Sequence, residues 1–198
     1  MEKIKVLVFD ADGTLFDSLP VVKEVLLQII GEDGLRQLGD FYKEYPPKET
    51  IKKAKELELI KGDWREIYNK YKEKLLEKAK RGEIPIIVDV GLLEKAKNKY
   101  KLAILTNGLR RYISIILKDI LHLFDVIVTS EDVSFPKPDP EGLIKIASFF
   151  SVKPEDILLF GDTEVDEETA KNANAKFIKV DRVKTVNYHL RKLVGENA

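Results

Sequence analysis

Asp10 and Asp12 lie one residue apart, directly after the apolar run Ile4, Val6, Leu7, Val8, Phe9 and directly before Gly13-Thr14. Two carboxylates this close repel each other, so the pair calls for a cation or a shared proton. A surface turn can also hold both acids without any chemistry, and the Asp-x-Asp-Gly spacing alone leaves that reading open. Three further polar groups follow along the chain: Thr106-Asn107-Gly108, Lys137 in the loop 134–140 with its three prolines, and Asp162 with Asp166. Taken singly, each of these could be a turn, a helix cap or a solvated charge.

A parallel sheet is what would position them. The run at residues 4–9 suits a short strand buried on both faces. Further strands are predicted over 101–105, 125–129, 157–160 and 176–180, with helices between them through Val90–Ala96, Tyr112–Leu121 and Leu143–Phe150 and after Asp162. Strand followed by helix, repeated, implies right-handed crossovers. All four polar groups come just after a predicted strand, and in open α/β sheets the carboxyl ends of the strands are where ligands bind. Their shared placement argues for one site.

Between the first strand and residue 84 the pattern is helical without a convincing strand. Ser18 can cap a first helix with Pro20 in its first turn; Leu35, Leu38, Phe41 and Tyr42 suggest a second, ended by Pro46-Pro47. A third is expected from about Glu49 through Ile51, Ala54 and Leu57. Asp63 then caps a fourth, whose Trp64, Ile67, Tyr68, Tyr71, Leu75 and Leu76 form an apolar face that reads as packing within the block. The expected organisation is a core of residues 1–16 and 85–198 interrupted by a helical insert at 17–84. A small terminal helix carrying Tyr188, Leu190, Leu193 and Val194 closes the core.

Composition narrows the function classes. Lys+Arg and Asp+Glu both number 34, so there is no global basic field of the kind nucleic-acid binding requires. The absence of cysteine removes disulfides, thiolate zinc sites and cysteine nucleophiles, and His122 and His189 alone are too few for a multi-histidine metal site. Carboxylates remain as the main catalytic groups. No signal peptide and no run near the ~20 apolar residues of a membrane span is evident, which leads to the expectation of a soluble cytoplasmic protein. Charged residues at 34% with a single methionine suggest heat adaptation.

Four ordered motifs give the chain its resemblance to the haloacid dehalogenase superfamily, in its phosphatase-like branch. Asp10-Ala-Asp12-Gly-Thr resembles the first motif, Thr106-Asn107 the second, Lys137-Pro138 the third and Gly161-Asp162-x-x-x-Asp166 the fourth, and the helical insert resembles a C1-type cap. The resemblance implies an α/β, Rossmann-like three-layer fold with strand order 5-4-1-2-3 and Mg²⁺-dependent phosphoryl transfer through an aspartyl phosphate. The partner it implies is a small-molecule phosphate ester, with no nucleic acid and no membrane, acted on by a monomer or homodimer.

The residue types suit that chemistry. With an ordinary aspartate pKa of about 3.9, Asp10 is expected to be ionised and able to attack phosphorus. Mg²⁺ takes about six oxygen ligands and keeps several as water, so the Asp10 carboxylate, the Asp12 backbone carbonyl and the Asp162 carboxylate would suffice. Asp166 would orient a water or Lys137, and Lys137 would stabilise the phosphoryl oxygens. Thr106 would donate its hydroxyl to the phosphoryl group, while the amides of Asn107 and Gly108 would open the next helix as an anion-binding terminus. Asp12 would protonate the leaving alkoxide and then activate water. Dehalogenases of the superfamily lack this second acid, because halide leaves without a proton.

Ala173-Asn174-Ala175 departs from the usual Ala-Gly, and Glu164, Glu167 and Glu168 crowd the fourth motif. Arg110 and Arg111 read as helix-surface charges rather than substrate ligands, and the two histidines receive no role. Lys43, Lys48, Lys52, Arg65 and Tyr68 are the insert's candidates for reading a leaving group. Three alternatives stand beside the phosphatase: a phosphomutase of the same superfamily, a receiver-type phosphoacceptor and a non-enzymatic binding protein on the same fold.

Overall fold

The computed structural model describes residues 4–45, 47–181 and 185–196. In chain order its elements are β1 (Val6–Phe9), α1 (Leu19–Leu38), α2 (Phe41–Glu44), α3 (Pro47–Glu56), α4 (Trp64–Lys80), α5 (Val90–Lys97), β2 (Lys101–Leu105), α6 (Arg110–Ile116) and β3 (Val126–Val128). There follow α7 (Glu141–Phe150), β4 (Ile157–Gly161), α8 (Glu164–Ala173), β5 (Lys176–Lys179) and α9 (Val186–Val194). Two compact units result: Met1–Asp17 with Ile86–Ala198, which carries the sheet, and Ser18–Pro85, which holds α1 to α4.

The sheet is wholly parallel with strand order β3-β2-β1-β4-β5, which is the expected 5-4-1-2-3 read from the other edge. Every residue of β1 is fully buried, as a central strand covered on both faces requires. Alternation sends Val6 and Val8 to one face, where they join Ala103, Leu105, Leu159, Leu143 and Ile146 of α7, and Ala170 of α8. Leu7 and Phe9 point the other way; Phe9 stacks on Phe160 at 5.2 Å between centroids and meets Phe124 edge-on at 5.9 Å. Fully burying an apolar side chain is worth about 1.5–3 kcal/mol, so this double-sided core anchors the strands firmly.

Register follows from that anchoring. Phe9 lies opposite Ile104 of β2 and Phe160 of β4, so the first polar residues after β1, β2 and β4 emerge at one level. The edge strand β3 covers the apolar run Val126–Val128 and is shorter than the predicted 125–129. Asp132 Oδ2 accepts from the Thr129 N–H at 2.7 Å and Asp125 Oδ2 from the Leu102 N–H at 3.0 Å, so side chains take over ladder positions at both ends.

The second unit departs from expectation at its turns. The predicted first helix and the start of the second run together as α1, broken at Gly31, whose φ of 72° suits glycine alone. Gly39 then separates α1 from α2. Ser18 occupies the N-cap position of α1, but its side chain makes no capping bond. Pro47 opens α3 rather than ending the helix before it, in keeping with the fixed φ of proline at a first helical position. The expected helix stop at Pro46 lies outside the described residues. Asp63 does cap α4, accepting from the Arg65 N–H at 3.0 Å. No helix of the described residues is long and apolar enough to cross a membrane.

Candidate active site

Asp10 leaves β1 with its N–H still bonded to the Phe160 carbonyl at 2.8 Å, which carries the strand alignment one residue further and directs the acid to the sheet's carboxyl edge. The chain then turns tightly. The Ala11 carbonyl accepts from the Leu15 N–H at 2.8 Å, and Gly13, at φ 78°, donates to the Phe16 carbonyl at 2.7 Å. Glycine is needed here for a second reason: a Cβ at residue 13 would stand 2.2 Å from Asp162 Oδ2. The turn after β1 is thus pressed against the acid that follows β4. Asp12 in the same turn is exposed.

Lys137 is the hub. Its Nζ donates to Asp10 Oδ1 at 2.6 Å and to Asp166 Oδ1 at 2.5 Å, across sequence separations of 127 and 29 residues. Its side chain is 5% exposed, so this ammonium belongs to the site and not to solvent. Asp166 sits in the first turn of α8, where Thr163 caps the helix. Asp166 Oδ2 accepts from Thr163 Oγ1 at 2.6 Å and from the Thr163 N–H at 3.2 Å, while Oδ1 faces Lys137. Gly161 leaves room for this acid, since a Cβ there would lie 2.4 Å from Asp166 Cβ.

The electrostatics describe a site short of positive charge. Asp10, Asp162 and Asp166 place carboxylate oxygens within 4.8 Å of one another, and the Lys137 ammonium contacts two of them, Asp10 and Asp166. With all three acids ionised, three negative charges would stand against one positive, an excess of two that burial resists by raising the pKa of two of them. Burial raises the pKa of Asp10 to about 7; Lys137 pulls it down, but Asp166 and Asp162 oppose that pull. The expectation of an ordinary, fully ionised Asp10 therefore fails in the metal-free protein, because that expectation assumed exposure. Burial, followed by the nearby Asp166, raises Asp162 to about 6, and Asp12 adds to the effect. At Lys137 burial favours the neutral amine, but Asp10 and Asp166 outweigh it and hold the pKa above its ordinary value.

A divalent cation fits this donor set. The buried Asp162 Oδ1 has no hydrogen-bond partner among the described residues, although an orphaned buried carboxylate oxygen is costly. Hard oxygen donors and a local excess of two negative charges are what Mg²⁺ or a similar ion takes. Asp10 and Asp162 are the acids best placed to hold one. Asp166 already spends both oxygens on Lys137 and Thr163.

The second motif is arranged differently from its expected form. Thr106 is buried, and its Oγ1 accepts from the Gly108 N–H at 3.0 Å. This local turn delays the helix, so α6 opens at Arg110 and the amides of Asn107 and Gly108 are not its first turn. Asn107 faces the third motif: its Oδ1 accepts from the Lys137 N–H at 2.9 Å and its Nδ2 donates to the Lys137 carbonyl at 3.0 Å. Arg110 is tied to Asp132 at 2.6 Å and to the Ile127 carbonyl at 3.0 Å, which gives it a local structural role; Arg111 is exposed. In the helical unit Lys43 pairs with Asp40 and Lys52 with Glu49, while Lys52 and Arg65 lie over the Trp64 ring at 5.4 and 5.0 Å. Lys48 is exposed, and partial burial raises the pKa of Tyr68.

Three supporting residues were not singled out by sequence. Thr163 is described above. Asn172 of α8 donates to the Pro138 carbonyl at 3.0 Å, and the Glu141 carboxylate accepts from the Ser134 and Phe135 N–H groups at 2.9 and 3.0 Å. Thr163-x-x-Asp166 ahead of a helix is a capping pattern that could have been read; the contacts of Asn172 and Glu141 leave no such signature. Asn174 meets the departure from Ala-Gly by taking the left-handed conformation itself, φ 59° and ψ 32°, at the end of α8.

The profile of haloacid dehalogenase-like hydrolases matches residues 7–180. A phosphoglycolate phosphatase of Aquifex aeolicus is 33% identical over 184 residues, covering 87% of this chain and 83% of its own length. The pyrophosphatase PpaX of Bacillus cereus strain Q1 is 30% identical over 185 residues, covering 88% and 82%. Among solved structures, YfnB of Bacillus subtilis, bound to magnesium, superposes with a TM-score of 0.74 at 19% identity over 98% of this chain and 99% of its own. A Thermotoga maritima protein assigned as a beta-phosphoglucomutase gives 0.73 at 26% identity, covering 98% and 92%. Sequence relatives, sheet order and the meeting of Asp10, Asp162, Asp166 and Lys137 agree: this chain belongs to the haloacid dehalogenase-like hydrolases.

Proposed function

We propose that the chain is a Mg²⁺-dependent phosphatase that hydrolyses a small-molecule phosphate monoester through an aspartyl phosphate on Asp10. The observation that carries this reading is the Lys137 ammonium shared between Asp10 and Asp166, beside an Asp162 oxygen that lacks a partner. The arrangement suits a nucleophile that must approach an anionic phosphoryl group, because the ammonium can screen both. Phosphatase names among the relatives point the same way.

An Asp10 oxygen attacks phosphorus, and the bond from phosphorus to the ester oxygen breaks. Asp12, whose exposed position allows proton exchange with water, gives its carboxyl proton to the leaving alkoxide. Asp12 then takes a proton from water; the oxygen of that water attacks the aspartyl phosphate, and the bond from phosphorus to Asp10 oxygen breaks. Inorganic phosphate leaves and both acids return to their starting states. Lys137 holds the Asp10 carboxylate in place and compensates charge on the phosphoryl oxygens, and Thr106 offers its hydroxyl to them. Asp10, the Asp12 carbonyl and Asp162 would hold Mg²⁺, which would supply further neutralisation of charge on the transferring group.

Hydrolysis of 4-nitrophenyl phosphate tests the proposal. Activity is expected with Mg²⁺, loss with EDTA, and a fall of at least a thousandfold in Asp10→Asn; an active Asp10→Asn variant would remove the aspartyl-phosphate mechanism. Phosphoglycolate, inorganic pyrophosphate and sugar phosphates form the natural panel. Transfer of the phosphoryl group only between hydroxyls of one substrate would favour the mutase reading, for which the Thermotoga maritima neighbour is a reason.

A further inference from the structure

We infer that Asn107 is a positioning residue for Lys137 and not a substrate ligand, an assignment that rests on the phosphatase reading for its catalytic consequence. One side-chain amide grips both polar atoms of the Lys137 backbone, accepting from its N–H at 2.9 Å and donating to its carbonyl at 3.0 Å. The orientation of the amide is unambiguous, because a backbone N–H can only donate and a carbonyl can only accept. The same residue's Nζ reaches Asp10 and Asp166 at 2.6 and 2.5 Å. Asn107 therefore ties the loop after β2 to the residue whose ammonium organises the acids after β1 and β4.

The other clamps on this loop act elsewhere. Asn172 holds Pro138, and Glu141 holds Ser134 and Phe135. Asn107 holds residue 137 itself, in a pairing that imitates two rungs of a strand ladder. Few other side chains could do so. Serine and alanine cannot span both atoms, aspartate accepts but cannot donate, and glutamine is longer by one methylene. These two bonds fix the Asn107 amide in the plane of the Lys137 backbone, so its side chain is directed at that backbone. Asn107 is also exposed, so losing it should leave the fold intact while freeing the lysine backbone to shift. A displacement of about 1 Å at a charge-compensating group can cost on the order of a hundredfold in rate.

Asn107→Ala and Asn107→Ser provide the test, assayed on 4-nitrophenyl phosphate with Mg²⁺ and by competitive acetylation of lysines read by mass spectrometry. Expected are a kcat lower by about ten- to a hundredfold with KM within about threefold of the wild type, and acetylation of Lys137 relative to the exposed Lys5 raised at least fivefold. A KM that rises tenfold with kcat unchanged would make Asn107 a substrate ligand and overturn the inference. Unchanged kcat in an active background overturns it as well. Unchanged Lys137 acetylation overturns it whether or not the wild type hydrolyses the probe. If the wild type hydrolyses no phosphate ester while Lys137 is unmasked in the variants, the functional reading falls and the positioning role stands.

Discussion

Replacing Asp10 by Asn should stabilise the metal-free protein at pH 8 while abolishing turnover. In the folded chain the Asp10 pKa is about 7, against 3.8 for the free side chain, chiefly because the group is buried. A folded-state pKa above the unfolded one means that the group's contribution to stability is fully present below about pH 3.8 and is lost as pH rises through about 7. At about 1.4 kcal/mol per pKa unit, ionised Asp10 then costs at most about 4.5 kcal/mol at pH 8. Asparagine escapes that cost but brings an amide NH₂ toward the Lys137 ammonium, so a net gain of about 2 kcal/mol is expected. The assay is urea unfolding in EDTA, for wild type and Asp10→Asn, at pH 8 and pH 5. The variant's advantage should be largest at pH 8 and shrink toward pH 5, where wild-type Asp10 takes up its proton. A variant no more stable than wild type at pH 8, or an advantage independent of pH, would refute the claim that Asp10 is held ionised at a cost.

Mg²⁺ must displace protons from Asp10 and Asp162, whose raised values are about 7 and about 6, so its stabilising effect should be greater at pH 8 than at pH 5.5. Thermal unfolding with and without the ion measures this; equal shifts at both pH values would contradict the donor set assigned above. Gly13→Ala forces a side chain into the left-handed region and pushes its Cβ to 2.2 Å from Asp162 Oδ2. A loss of about 1–2 kcal/mol in stability from the backbone conformation is expected in urea unfolding. A Mg²⁺ requirement raised about tenfold should accompany it as Asp162 is displaced, and an unchanged requirement would show that the close approach does not govern the acid.

The sheet and its ligand edge were legible because their signals are contiguous. Val6 to Phe9, Leu102 to Leu105 and Ile157 to Phe160 are apolar runs short enough for strands, followed directly by Asp10 and Thr106 in the first two and by Gly161-Asp162 in the third. The ordered acids, threonine and lysine after those runs were likewise visible as types at strand ends. Helix boundaries were less so. The two helices expected on either side of Gly31 join as α1 with only that residue out of helical conformation, and the Thr106 hydroxyl, by taking the Gly108 N–H, moves the start of α6. Both outcomes turn on a single backbone conformation or hydrogen bond that residue periodicity does not encode.

By itself the chain determined the strand runs, the cap at Asp63 and the inventory of reactive groups, since these depend on neighbours within a few residues. Tertiary structure alone decided what those groups do to one another. Lys137 meets Asp10 across 127 residues, Gly13 is pressed against Asp162, and the Asn107 side chain pairs with the Lys137 backbone. Burial then converts an ordinary carboxylate into one with a pKa of about 7. Desolvation and Coulomb interactions depend on distance through space and on exclusion of water, and neither quantity exists until the strands have been aligned.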